Sequence, residues 1–388
     1  MILSVTGTHD ENTLEQLADV DTRARYTALM ADGHLGYVMP IGGVAAYDNM
    51  ASPVGVGFDI ACGNCAARTD LQVADLGDLD ELADELFAHF AFGVGRNNDA
   101  KTAPRDHLLF GDDRWSIVPR GHRQGLMAKA RNQLGTLGSG NHYLDLFVDD
   151  EGAVWVGVHF GSRGFGHSVA SAFLALSQGG EWGDRGTETE ALLPIDQPLG
   201  HDYWHLMELA GEYAYAGRDW VVDETLRIIG ASETDRVHNN HNFAWRETHF
   251  DEELVVVRKG ATPAFPGQRG FVGGSMGDRS VILRGAESES GPNLLYSTVH
   301  GAGRVMGRMQ ARGKQAKDGT WKRKPAVDRA EMEEWLARMG VVRRGGDLDE
   351  APQAYRRLPD VLADQGDTIE VEYELTPIIV CMAGRERW

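Results

Sequence analysis

Leu14, Leu17 and Ala18, followed by Tyr26, Leu29 and Met30, recur at the spacing of one helical face, with acidic residues early and arginines late. That pattern predicts a helix over 10–30. A second helix is expected over 78–92, where Leu79, Leu82, Leu86, Phe87 and Phe90 oppose a row of Asp and Glu. Segments 124–134, 201–229 and 329–339 carry the same period, and all five read as amphipathic scaffold. The strand candidates are short, β-branched and followed by glycine: 154–160, 254–258, 280–283, 294–300 and 368–381. Helices and strands are interspersed without the alternation of a doubly wound sheet, so a mixed α and β (α+β) fold is expected. No repeat and no Pro/Ser-rich linker divides the chain, and 179–189 and 343–349 read as exposed loops.

Composition narrows the function classes. The 388 residues are 42% hydrophobic, enough for a sizeable core, and length alone suggests two to three domains. Lys+Arg 38 against Asp+Glu 58 gives a net charge of −20, which excludes a uniformly basic nucleic-acid coat. The longest apolar runs, such as 376–382, fall far short of the roughly 20 residues of a membrane helix. The first residues lack the pattern of a secretion signal, and three cysteines make a disulfide framework improbable, so a cytoplasmic location is expected. Glycine is about 12% of the chain, against about 7% in average usage. Its clustering suggests backbone brought close to a ligand.

Five segments carry candidate chemistry. In Gly55-Val-Gly-Phe-Asp59-Ile-Ala-Cys62-Gly-Asn-Cys65, a carboxylate and a thiol three residues apart can meet on one cation if the segment turns tightly. Cys62 and Cys65 also form a Cys-x-x-Cys pair, open to a redox or half-zinc reading. No second pair exists for a four-cysteine ribbon. Gly135-Thr-Leu-Gly138-Ser-Gly140-Asn141-His142 can turn backbone amides toward an anion, with Asp145 shortly after. It is neither a Walker A loop nor a dinucleotide fingerprint. Val158-His159-Phe-Gly161-Ser162-Arg163-Gly164 places an imidazole at a strand end before a turn suited to phosphate; a structural histidine is the alternative. His238-Asn-Asn-His241-Asn242 would put both histidines on one face of a helix if one forms there; a structural role is the alternative for either and the reading kept for His238. Finally, Gly273-Gly-Ser275-Met-Gly277 precedes Thr298-Val-His300-Gly301-Ala302-Gly303-Arg304. There a histidine ending a strand is presented as a nucleophile toward phosphorus, with Arg304 placed for the oxyanion. Arg304, Arg308, Arg312, Lys314, Lys317, Lys322, Arg323 and Lys324 then form a basic run, either a solvated face or a phosphate track.

Taken together and in this order, the six motifs Gly-Phe-Asp59-Ile-Ala-Cys62-Gly, Leu-Gly-Ser-Gly-Asn141-His142, His159-Phe-Gly-Ser-Arg163-Gly, Arg258-Lys-Gly-Ala-Thr, Gly-Ser275-Met-Gly and His300-Gly-Ala-Gly-Arg304 resemble the RtcB family of GTP-dependent RNA ligases. The resemblance runs from Met39 to Gly384 and implies one catalytic domain over 1–388, with central β-sheets flanked by helices. It implies two Mn²⁺ held by Asp59, Cys62, His142, His159 and His241, the thiolate shared between the ions. A thiolate, imidazoles and a carboxylate suit Mn²⁺ or Zn²⁺ better than Mg²⁺. It implies that His300 attacks the α-phosphorus of GTP, that Asn141, Asp145, Asn242, Ser275, Gly301, Gly303, Arg304 and Tyr355 lie at the nucleotide, and that Arg163 contacts RNA phosphate. The implied partners are RNA with broken ends, from tRNA or another cleaved RNA, and GTP; an activating protein is left open.

This sequence departs from the family pattern at its end. Met382-Ala383-Gly384 stands where the family has Val-Lys-Gly, and the shorter Asp145 replaces a family glutamate. Arg385, in the extension Arg385-Glu-Arg387-Trp, is expected to fold back to the nucleotide phosphate and partly replace the lost lysine charge. Two other readings stay open beside ligation: a metal-dependent RNA-end phosphoesterase without guanylyl transfer, and a catalytically silent RNA-binding protein.

Overall fold

The computed structural model describes residues 1–316, 318 and 320–384, and the architecture is mixed α and β. One sheet has five strands in the order Ile2–Val5, Tyr26–His34, Ile41–Tyr47, Glu252–Lys259, Asn242–His249. Its first pair is parallel and the rest antiparallel. The larger sheet runs Arg269–Val272, Ser280–Gly285, Ile369–Met382, Tyr143–Val148, Ala153–Phe160, Gly63–Gln72, Glu233–Asn240, all antiparallel. Val342–Arg344 joins Ile369–Met382 in parallel.

Strand alternation decides which core each side chain joins. Leu144, Leu146, Val156, Val158 and Cys65 pack with Val221, Val222 and Leu226 of the long helix Pro198–Ile229. Tyr143, Phe147, Trp155 and Ala66 point to the opposite face, against Phe271 and Ile282. Burial on both faces explains why these strands read as continuous apolar runs. In the five-stranded sheet, Ala45, Tyr47, Val255 and Val257 face a helical core. Val44, Ala46, Leu254 and Val256 instead meet Val272, Val281 and Leu283 of the larger sheet, which joins the two sheets.

Four of the five expected helices are present, as Leu79–His89, Arg120–Gln133, Pro198–Ile229 and Arg329–Met339. Local chemistry sets their ends: the Asp78 and Asp328 side chains accept backbone N–H groups of the first turn, and Gly230 and Gly340 close the last turn in the left-handed region. The helix expected over 10–30 stops at Asp21, and Tyr26–His34 is a strand. Six of its residues from Thr27 to Asp32 are buried, so an apolar run there mimics helical spacing. Only Ser297–Val299 of 294–300 is strand; Gly291–Leu294 forms a helical turn, and Leu295 and Tyr296 have φ of 49° and 46°. The stretch 343–349 is not an exposed loop, because Arg343 and Arg344 pair with Val380 and Cys381, and Asp347, Leu348 and Asp349 are buried. The period-based reading misses Arg163–Ser177, whose first turn contains the poor helix formers Gly164 and Gly166. Among the described residues no helix is long and apolar enough to cross a membrane.

Candidate active site

Three adjacent strands of the larger sheet bring the site together. Gly63–Gln72 lies between Ala153–Phe160 and Glu233–Asn240, setting Asn64 opposite His159 on one side and Asn239 on the other. Just ahead of it the backbone doubles back. The Cys62 N–H donates to Asp59 O (3.0 Å), the Ala61 N–H to Asn242 O (2.7 Å) and the His241 N–H to Cys62 O (2.9 Å). Ala61 sits at φ 56°, a left-handed conformation costly for alanine and held here by these bonds.

The turn places Cys62 Sγ 3.2 Å from His159 Nε2 and 3.5 Å from His142 Nε2. Asp59 Oδ2 lies 3.0 Å from the same His142 nitrogen. The ligand atoms of Asp59, Cys62 and His142 lie within 4.8 Å of one another, as do those of Cys62, His159 and His241, and Cys62 belongs to both triads. A Cβ at Gly161 would stand 2.4 Å from Asp59 Oδ1, so a side chain there would displace that carboxylate. His238 and His241 do not share a helix face: His238 is in the strand Glu233–Asn240 opposite Cys65, and His241 follows that strand.

The charges suit a cation. Burial pushes the Cys62 thiol up, and the Asp59 carboxylate adds to the shift, while Arg218 and Arg163 oppose it. Burial likewise lowers His142, His159 and His241, leaving neutral imidazoles with lone pairs to give. Burial works against the Asp59 carboxylate, yet His142 and Arg163 hold it well below the usual range. The buried His241 Nδ1 has no hydrogen-bond partner. A thiol, three imidazoles and a carboxylate, with that orphan nitrogen, fit one or two borderline-soft divalent ions.

His300 closes one side of this group, its ring 5.0 Å from that of His241. Its Nδ1 lies 2.5 Å from Oδ2 of Asp32, which is fully buried and also accepts the backbone N–H groups of His300 (3.0 Å) and Gly301 (3.3 Å). With its proton on Nδ1, on the side of this carboxylate, the ring would present an unprotonated Nε2. The sequence reading passed over Asp32; its signal was an Asp-Gly-His at the end of an apolar run. Gly303 has φ 71°, and a Cβ there would meet Asp32 O at 2.4 Å.

The remaining expected residues surround this centre in different states. Arg163, at φ 54°, places Nη1 3.1 Å from His142 Nδ1, and its guanidinium fills the space where a Gly138 Cβ would be. Asn242 Oδ1 accepts the Gly260 N–H (2.7 Å), while Asn141 and Ser275 are half-buried. Gly301 pairs with Gly273, aligning the two glycine segments. Burial raises the Asp145 carboxyl, opposed by the Cys381 N–H that it accepts at 3.3 Å. Arg304 donates to Tyr355 Oη (2.7 Å) and Asp349 O (2.5 Å) and faces Glu350 at 3.3 Å.

The basic run is therefore divided. Arg304, Arg308 and Arg312 pair with Asp349 and Glu350, whereas Lys314, Lys322, Arg323 and Lys324 are exposed. Ala383 O accepts the Gly346 N–H (3.0 Å). Arg385, expected to replace the lysine charge, and Lys317 of the basic run lie outside the described residues.

Comparison with known proteins agrees with this arrangement. The family model described as tRNA-splicing ligase RtcB matches residues 13–383. The chain is 33% identical to the tRNA-splicing ligase RtcB of Archaeoglobus fulgidus, covering 91% of this chain and 87% of that protein. It is 31% identical to the RNA-splicing ligase RtcB of Escherichia coli strain K12, covering 93% of this chain and 90% of the relative. The RtcB of Thermococcus kodakarensis is 33% identical over 91% of this chain and 86% of its own length. On a family-model match across nearly its whole length and relatives identical at 31–33% over most of both chains, the chain belongs to the RtcB family of tRNA-splicing ligases.

Proposed function

We propose that this protein is an RNA ligase that joins 2′,3′-cyclic phosphate or 3′-phosphate RNA ends to 5′-hydroxyl ends through a covalent histidine–GMP intermediate. The observation that carries the reading is the meeting of two metal triads at Cys62 beside a histidine whose Nδ1 is held by Asp32. Asp59, Cys62 and His142 would hold one Mn²⁺, and Cys62, His159 and His241 the other. Bound there, the ions supply charge stabilisation for phosphoryl transfer.

The chain's own groups do the rest. His300 Nε2 bonds to the α-phosphorus of GTP and pyrophosphate leaves, while Asp32 stabilises the imidazolium through Nδ1. A 2′,3′-cyclic end is first opened by water, which breaks the bond from phosphorus to the 2′-oxygen; the resulting 3′-phosphate of one RNA end displaces His300 and takes the GMP. The 5′-hydroxyl of the other end, losing its proton, then attacks the phosphorus of that RNA 3′-phosphate, GMP leaves, and a phosphodiester is formed. Asn141, Asp145, Asn242, Ser275, Gly301, Gly303, Arg304 and Tyr355 are assigned to the nucleotide, and Arg163 to RNA phosphate. The reading treats the chain as one catalytic domain acting in the cytoplasm, where its three free, buried cysteines stay reduced.

Labelled α-phosphate GTP with Mn²⁺ tests this directly. An acid-labile, alkali-stable adduct should form on the parent and be absent from His300→Ala. Ala383, uncharged where the family has lysine, favours a second reading of RNA-end processing without guanylylation. A manganese-loaded parent that forms no adduct would select it.

A further inference from the structure

Outside the site, Cys65, Asp219 and His238 form a further cluster among the described residues whose ligand atoms lie within 4.8 Å of one another. It has the composition of a metal site, but protein donors already engage His238 Nε2 and one Asp219 oxygen. Arg218 Nε donates to His238 Nε2 (2.7 Å), so Nδ1 carries the proton and faces Asp219 Oδ1 at 3.3 Å. Arg236 Nη1 donates to the same Asp219 oxygen at 2.9 Å. Two guanidinium groups hold the places a cation would take.

What this cluster supports is Arg218. The residue is completely buried in the long helix, with the Tyr215 ring 4.9 Å from its guanidinium carbon. Burying a guanidinium is costly, and it is tolerated where every donor is engaged. Beyond Nε, Nη1 donates to Ala61 O (2.9 Å) and Phe160 O (2.6 Å), and Nη2 to Asn240 Oδ1 (2.7 Å). Each of these three acceptors is one residue from a member of the same triad: Ala61 precedes Cys62, Phe160 follows His159 and Asn240 precedes His241.

We infer that Arg218 is the positioning residue of the Cys62–His159–His241 triad, its rigid planar fork fixing three segments distant in sequence at the separation that one metal ion requires. The inference rests on the two-ion reading proposed above. Arginine is specified because its donors diverge at fixed angles in one plane, a geometry that the single ammonium of lysine cannot reproduce. Metal sites need ligand placement within a few tenths of an ångström, and groups that orient the ligands are worth roughly ten- to a hundredfold in affinity. His238 and Asp219 hold the fork from its outer side.

Cobalt(II) titration of the full chain tests this, because a thiolate-to-cobalt absorption reports Cys62 coordination independently of activity. Arg218→Lys is expected to weaken Co²⁺ binding by roughly ten- to a hundredfold and diminish that band, with Asn240→Ser causing a smaller loss in the same direction. A merely structural Arg218 would lower the melting temperature of the metal-free protein while the folded variant kept parental affinity and spectrum, and that result overturns the inference. If Arg218→Lys does not fold, Asn240→Ser decides alone, and parental binding by it overturns the inference equally. A parent with no thiolate–cobalt band is a separate outcome that sinks the two-ion reading and this inference with it.

Discussion

The neighbourhoods of Cys62 and Cys65 hold the same residue types and opposite chemistry. Each groups cysteine, aspartate and histidine with ligand atoms within 4.8 Å. Around Cys65, guanidinium groups occupy His238 Nε2 and Asp219 Oδ1. Around Cys62, no guanidinium among the described residues holds a ligand atom of Cys62, His159 or His241, and the buried His241 Nδ1 has no hydrogen-bond partner, while Arg163 holds Nδ1 of His142 in the other triad. Residue identity and proximity are thus insufficient to define a metal site; what separates the two clusters is whether a protein donor already holds each lone pair.

The largest expected effect comes from exchanging the sulfurs. Cys62→Ser removes a ligand from both triads and should lower Mn²⁺ or Co²⁺ affinity by more than about two decades, since even groups behind the ligands are worth one to two. Cys65→Ser should leave metal stoichiometry, read by calorimetry, as in the parent. If Cys65→Ser loses an ion instead, the contrast between the clusters is wrong.

Asp32→Asn separates the nucleophile from the metal centre. Losing the carboxylate behind His300 should slow guanylylation by roughly 10²- to 10⁴-fold, with metal content unchanged. A rate within a factor of two of the parent would show that Nδ1 needs no anionic partner.

The Cys65 cluster carries a pH signature. Burial lowers His238 from 6.5 to about 4, with Arg218 acting in the same direction and Asp219 opposing both. The unfolded chain therefore binds this proton before the folded one, so the stabilisation is fully present above pH 6.5 and declines as pH falls toward about 4. His238→Asn should flatten that limb of the stability curve by at most about 3 kcal/mol in denaturant titrations. Identical acid limbs for parent and variant would remove His238 from the account.

The smallest effect expected is that of Arg236→Gln. It vacates Asp219 but leaves Arg218 on His238, so no additional Co²⁺ should bind, and the loss of part-exposed ion pairs should cost about 1 kcal/mol or less. Uptake of an extra ion would show that Arg236 alone had kept the metal out.

Much of this molecule was legible along the chain. The caps Asp78 and Asp328 and the closing glycines Gly230 and Gly340 mark helix ends locally, and three of these helices lie within a few residues of their expected spans. The site residues were legible because glycine-flanked motifs tie them to turns. Errors arose where burial hides the period, as in Tyr26–His34, and where a short segment depends on a distant partner, as Val342–Arg344 does on Ile369–Met382. Asp32 escaped because its partner His300 is 268 positions away.

By itself, the sequence determined the fold class, the turns that its glycines permit and the set of side chains able to hold a metal or attack phosphorus. The fold class and the turns follow from periodicity and local conformational preference, which act over a few residues, and the set of site residues from the resemblance of the glycine-flanked motifs to the RtcB family. Only the tertiary structure decided that Arg218 and Arg236 engage His238 and Asp219 beside Cys65, that Asp32 stands behind His300, and that Arg218 binds the strand ends together. Sheet register fixes the face to which each side chain points, and buried hydrogen-bond donors must find acceptors wherever in the chain these occur.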